Sequence, residues 1–176
     1  PHGARLRRIC RPRSHKHSSA QTPPPERVVW QDYLQASPAG IDADYLWSAF
    51  GTRGSGVRVV DIEFDFNSSH ADLPAITRIP GGFQYTAAGN DHGTAVFGIM
   101  DMKPNNGFGG NGIAPDAQYY FSNSFKTSTS ADIADAIVRS FSYLNPGDII
   151  LIEQQIAGPG GNATTQEGYV SPEWYK

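Results

Sequence analysis

Residues 57–73, VRVVDIEFDFNSSHADL, open on a run of β-branched residues: Val57, Val59, Val60 and Ile62. Such a run without clear polar alternation predicts a strand covered on both faces, as in a parallel sheet. The strand is expected to end on the carboxylate of Asp61. Further along, NDHGTAVFGIM (90–100) reads as the start of a helix. Asn90 or Asp91 is placed to cap it, and Ala95, Val96, Ile99 and Met100 supply an apolar face. An acid at a strand's end and a histidine, His92, in a helix's first turn are the two parts from which a nucleophile-activating relay is built.

Working outward, the segment before this strand, GSG (54–56), is a turn. IDADYLWSAFG (41–51) predicts a short helix capped by Asp42, with Tyr45, Leu46 and Ala49 as its apolar stripe and Gly51 as its stop. Towards the C-terminus, residues 103–117 read as loop and QYYFS (118–122) as a strand. Ser130 is expected to cap a helix reaching about Leu144. Its apolar positions are Ile133, Ile137, Val138, Phe141 and Leu144, with an Asp135–Arg139 pair four apart. Asn145–Pro146–Gly147 ends it, and DIILIE (148–153) is a second buried strand. Alternating strands and helices imply right-handed crossovers and an α/β fold: a three-layer, doubly wound, mainly parallel sheet. After Glu153 only loop is predicted, so the sheet looks cut short. Its uncovered apolar surface should favour aggregation or dimerisation.

The length, 176 residues, suits one domain with a real core. The net charge of −3 hides an uneven distribution: residues 1–27 carry seven of the 14 basic residues and a single acid. Residues 1–27 have no hydrophobic period and are read as a disordered basic arm or the remnant of a pro-segment, with the ordered domain spanning 28–176. His15 and His17 in that arm read as solvated. An acidic body argues against nucleic acid as the main partner. The single cysteine, Cys10, excludes an internal disulfide framework. No apolar run approaches the roughly 18 residues of a membrane span, and no signal peptide is visible in a chain that begins at Pro1.

In open α/β sheets functional groups gather beyond the carboxyl ends of strands. There Asp61 can accept an N–H of the His92 imidazole and fix its tautomer, leaving the other ring nitrogen to take a proton from a hydroxyl. The dipole at a helix start disfavours imidazolium, which a nearby carboxylate offsets. Two patterns are rejected. Gly107, Gly109 and Gly112 spell GxGxxG but precede Pro115 and a strand, so no helix start awaits a pyrophosphate. DIEFD (61–65) suggests paired phosphatase aspartates, but Glu63 breaks the pattern. Asn67–Ser68–Ser69 and Asn162–Ala163–Thr164 match glycosylation acceptors.

In order, GSGVRVVDIEFDFNSSHADL, NDHGTAVFGI, NNGFGGNGIAPDAQYY and GDIILIEQQIAGP resemble the aspartate block, histidine block, following loop and strand, and substrate-binding strand of the subtilisin-like serine peptidases (subtilases). The resemblance covers about residues 28–176. It implies a serine-type endopeptidase in which Asp61 orients His92, and His92 serves as general base and then acid. No cofactor is required for that chemistry. It also implies a peptide or protein substrate, no membrane partner, and secretion. A strand around Gln155, Ile156, Ala157 and Gly158 would pair with substrate backbone. Asp72 and Asn106 would offer side-chain oxygens to a structural Ca²⁺, with carbonyls of the 104–110 loop.

Three departures stand out. Ile62–Glu63 follows Asp61 where the family has Thr/Ser-Gly, and Ala95 replaces a second histidine. Glu63 and Asp65 are read as surface acids. No Gly-Thr-Ser-x-Ala segment and no later strand ending in an oxyanion-stabilising Asn occur in these 176 residues. Ser122 and Ser130 lack the context of a nucleophile. The Asp-His-Ser triad therefore lacks its Ser in this chain, which alone is expected to be inactive. The alternative is a catalytically dead, truncated remnant acting at most as a peptide-binding module.

Overall fold

The computed structural model describes residues 26–84, 91–154, 156–162 and 167–170, the last two segments as backbone. Four parallel strands form the sheet: β1 (Arg58–Glu63), β2 (Thr77–Arg78), β3 (Gln118–Asn123) and β6 (Ile149–Ile152), in the order β2-β3-β1-β6. β1 is central and buried from Val59 onward, as its β-branched run predicts. It runs two residues past the expected end, through Glu63. The α/β, doubly wound architecture is as expected.

Helix α2 (Asp91–Asp101) covers one face, where Val59, Phe66, Leu73, Phe97, Tyr119 and Phe121 pack together. Helix α3 (Ile133–Ser140) covers the other, where its Ala136 packs with Val60, Ile62, Ile79 and Tyr120. The alternation along β1 is therefore explicit: Val59, Asp61 and Glu63 face α2, whereas Val60 and Ile62 face α3. Between β1 and β3 the chain passes over the α2 face. Between β3 and β6 it passes over the α3 face to the other side of β1. The strand order reverses at β1, and in such sheets functional groups gather at the carboxyl end of the strand where it reverses.

Several local expectations are corrected. Helix α1 (Ala43–Phe50) ends on Gly51 in the left-handed conformation. However, Tyr45, Leu46 and Ala49 face solvent, and Ala43 and Trp47 form the covered side. Asp42 binds the Ser37 amide at 3.1 Å and does not cap the helix with its side chain. In α2 the buried positions are Gly93, Val96, Phe97 and Asp101, with Ala95 and Ile99 exposed. The cap of α3 is Asp132, which accepts from the Asp135 amide at 3.0 Å. Ser130 instead lies in β5 (Ser130–Ala131), which pairs antiparallel with β4 (Phe125–Thr127). Val138 and Phe141 are exposed; Ala136 and Ser140 take the buried face of α3. The Asp135–Arg139 pair forms, at 2.7 Å.

Among the described residues β6 is an edge strand, and Ile149 and Ile152 are half-exposed where burial was expected. Beyond it the chain is not all loop: β7 (Ile156–Asn162) pairs antiparallel with β8 (Glu167–Val170). Residues 1–25 of the arm, with His15, His17 and Cys10, lie outside the described residues; its last two are ordered, Glu26 bridging Gly109 and the Arg27 amide giving 2.6 Å to the Gly109 carbonyl oxygen.

Candidate active site

The carboxyl end of β1 brings together a histidine and three carboxylates. His92 is the second residue of α2, and its Nδ1 lies 2.6 Å from Oε1 of Glu63. Glu63 is fully buried. The expected bond between Asp61 and His92 is not the one formed. Asp61 sits on the same strand face but one pleat deeper, fully buried, and neither of its oxygens has a hydrogen-bond partner among the described residues. The physical reason is the strand's length: because β1 continues to Glu63, the acid at its end is Glu63.

A second carboxylate reaches the ring from β6. The parallel register pairs Ile62 with Ile152, so the next residues, Glu63 and Glu153, emerge side by side. Glu153 Oε2 lies 3.7 Å from His92 Nε2, and both side chains are partly solvent-exposed. Burial pushes the Asp61 carboxyl up to about 8, and the charges of Glu63 and Glu153 add to that. Burial also raises Glu63, opposed by the Phe64 amide and by His92. Both effects follow from crowding carboxylates in a space shielded from water.

The His-Gly-Thr block is explained residue by residue. His92 pairs with Glu63. A Cβ on Gly93 would stand 2.4 Å from the Asp65 carbonyl oxygen, so only glycine lets the helix start close on the strand end. Thr94 Oγ1 accepts the Asn67 amide at 2.8 Å, fastening the chain that leaves β1 to the same helix turn. Asp65, read as a surface acid, is also buried; it binds Arg78 at 2.6 Å, whose guanidinium lies over Phe66 and Phe121. Asn67 Oδ1 is taken by the Ser69 amide.

The sequence around these residues matches known proteins. The sequence profile of the subtilase family matches residues 47–152. The chain belongs to the subtilase family. It is 30% identical to subtilisin E of Bacillus subtilis over 147 residues, covering 78% of this chain and 37% of that protein. It is 33% identical to the minor extracellular protease Epr of the same organism over 117 residues, 62% of this chain and 17% of Epr. The chain thus spans little more than a third of the length of the subtilisins it matches. Among solved structures, MycP1 from Mycobacterium smegmatis aligns with a TM-score of 0.47 at 16% identity, over 87% of this chain and 57% of that one.

The remaining subtilase-derived expectations fare unevenly. Asp72 and Asn106 do meet, but as acceptor and donor: Asn106 Nδ2 gives a 2.6 Å bond to Asp72 Oδ1, and the Gly110 amide gives 2.9 Å to Oδ2. With both oxygens of this buried carboxylate taken by N–H donors, the pair does not fit a Ca²⁺ shell, which needs oxygens converging on the ion. Gly109, at φ +64°, lies so close that a Cβ there would overlap Oδ2. Gln155 lies outside the described residues. Ile156, Ala157 and Gly158 lie in β7, where Ile156 and Ala157 pair with Val170 and Tyr169 of β8.

Sequence reasoning missed Glu63 as the imidazole's partner and Glu153 altogether. The period-2 alternation that puts residues 61 and 63 on one face held the signal for Glu63. Glu153 became legible only from the β1–β6 register.

Proposed function

We propose that this chain is the acid–base portion of a subtilisin-like serine endopeptidase, with His92 as general base and acid and Glu63 as the residue that positions it. The 2.6 Å contact between His92 Nδ1 and Glu63 carries the reading. A carboxylate accepting the Nδ1 proton fixes the tautomer in which Nε2 carries the lone pair. Nε2 then takes the proton of a serine hydroxyl as its oxygen attacks a peptide carbonyl, and returns that proton to the leaving amine. Glu63 also offsets the helix dipole that disfavours imidazolium at the start of α2. The serine and the oxyanion donor would come from polypeptide outside these 176 residues. Ile156, Ala157 and Gly158, with Gln155 beside them, are the proposed backbone partners of the substrate. An extracellular setting is supported by kinship to a protease named extracellular.

The test begins with the coding DNA beyond Lys176, where a Gly-Thr-Ser-x-Ala segment is expected. Protein expressed through that segment should hydrolyse peptides and take a fluorophosphonate label on its serine, and His92→Ala should abolish both. The 176-residue chain by itself should not label. Labelling of that short chain, or activity indifferent to His92→Ala, would overturn the proposal. A genuine stop codon with nothing downstream favours a non-catalytic peptide-binding remnant.

A further inference from the structure

We propose that the carboxyl end of the sheet binds a divalent transition-metal ion of the zinc class through His92 and Glu153, with Glu63 as the third member of the site. One donor atom each from Glu63, His92 and Glu153 lies within 4.8 Å of the other two. The separation of His92 Nε2 from Glu153 Oε2, 3.7 Å, is near the roughly 3.4 Å between two ligands on a tetrahedral zinc with bonds of about 2.1 Å. Glu63 already accepts from Nδ1. This is the carboxylate–histidine arrangement that directs the Nε2 lone pair outward and strengthens it as a ligand. His92 and Glu153 are open to solvent, so an ion can enter and retain water on its remaining positions.

A separate observation points to a cation. Asp61 is fully buried directly beneath this cluster, with both oxygens unpartnered. It shares the strand face of Glu63, two residues away on β1. Two carboxylates thus meet one imidazole, with a third buried below them. Among the described residues no lysine or arginine forms an ion pair with any of them. A divalent ion beside His92 and Glu153 supplies the missing positive charge. The imidazole selects the class: nitrogen ligands favour Zn²⁺ or Co²⁺ over Ca²⁺ and Mg²⁺, which take oxygen. Metal on Nε2 occupies the lone pair that proton transfer needs, so the ion would also inhibit; that consequence, unlike the binding, rests on the function proposed above.

The binding test needs no nucleophile and so is independent of peptidase activity. The full 176-residue chain, carrying His2→Ala, Cys10→Ser, His15→Ala and His17→Ala to silence the arm, is titrated with Co²⁺ and with Zn²⁺. Binding is followed by Co²⁺ absorption and by calorimetry. One ion per chain is expected, with affinity reduced roughly tenfold or more by Glu153→Gln and lost in His92→Ala. Excess Ca²⁺ should not compete. Circular dichroism verifies that each variant folds. If His92→Ala does not fold, the solvent-exposed Glu153→Gln and the shift of the His92 ring resonances on adding Zn²⁺ decide the question. Absence of binding in the arm-silenced chain would overturn the proposal, as would affinity unchanged by Glu153→Gln or Zn²⁺ that leaves the His92 resonances unmoved.

Discussion

His92 Nδ1 and Glu63 Oε1 stand 2.6 Å apart at the carboxyl edge of the sheet, while Asp61 lies one pleat below with no hydrogen-bond partner among the described residues. The two acids differ by a single step of the strand, and that step separates contact from isolation. Glu63→Gln should therefore weaken the charged hydrogen bond and move the low-field Nδ1 proton resonance, whereas Asp61→Asn should leave that resonance in place. In protein carrying the nucleophile, Glu63→Gln is expected to lower kcat by on the order of 10²- to 10⁴-fold. The converse result, with Asp61→Asn the damaging change, would return the orienting role to Asp61.

Burial pushes the Asp101 carboxyl up to about 7 from its ordinary 3.8. Between those values the folded protein holds a proton that the unfolded chain has released. The stability it contributes is complete below about pH 4 and is lost as pH rises towards 7, a swing on the order of a few kcal/mol. Asp101→Asn should flatten the fall in Tm over that range. A residual fall that runs across the same range and on towards pH 8 belongs to Asp61, raised to about 8. An unchanged Tm–pH curve in Asp101→Asn would show that Asp101 does not titrate in this range.

Gly93 permits the closest approach of α2 to the strand end. A methyl group there meets the Asp65 carbonyl oxygen at 2.4 Å, so Gly93→Ala should cost about 1–3 kcal/mol. Denaturant midpoints at constant m-value measure it, and a neutral outcome would mean that the helix start shifts freely.

The Asp72 carboxylate holds the 106–110 loop through the Asn106 side chain and the Gly110 amide. Asp72→Ala leaves these donors unsatisfied and should cost about 1–3 kcal/mol for each that remains buried. Millimolar Ca²⁺ should not raise the Tm of the unaltered chain. A calcium-dependent rise that vanishes in Asp72→Ala would reinstate the ion.

Ile149 and Ile152 leave 48% and 39% of their surface exposed on the edge strand β6. An unpaired edge with apolar side chains templates association, so light scattering should show concentration-dependent self-association of this chain, weakened by Ile149→Lys. A monomer at all concentrations would show that the edge is covered.

Strong local signals were legible in the chain. The β-branched run of β1, the helix start at His92, Asp135 opposite Arg139, and Gly51 as a helix stop each act within a few residues, and sequence shows such patterns directly. The weaker readings concerned faces. Val138 and Phe141 have helical spacing but look outward, because the short α3 meets the sheet through Ala136 and Ser140, whose small side chains allow close packing. Leu46 and Ile99 are likewise apolar but exposed, so hydrophobicity alone did not identify what each helix touches.

The sequence by itself determined the alternating strand and helix pattern, the catalytic-type histidine block and kinship to the subtilases, because these reside in local periodicity and short motifs. Only the tertiary structure decided which carboxylate meets the imidazole, that Glu153 joins them, and that Asp72 is satisfied by N–H donors. Those outcomes depend on where β1 ends and on its register with β6, which long-range packing sets and the local run of residues does not.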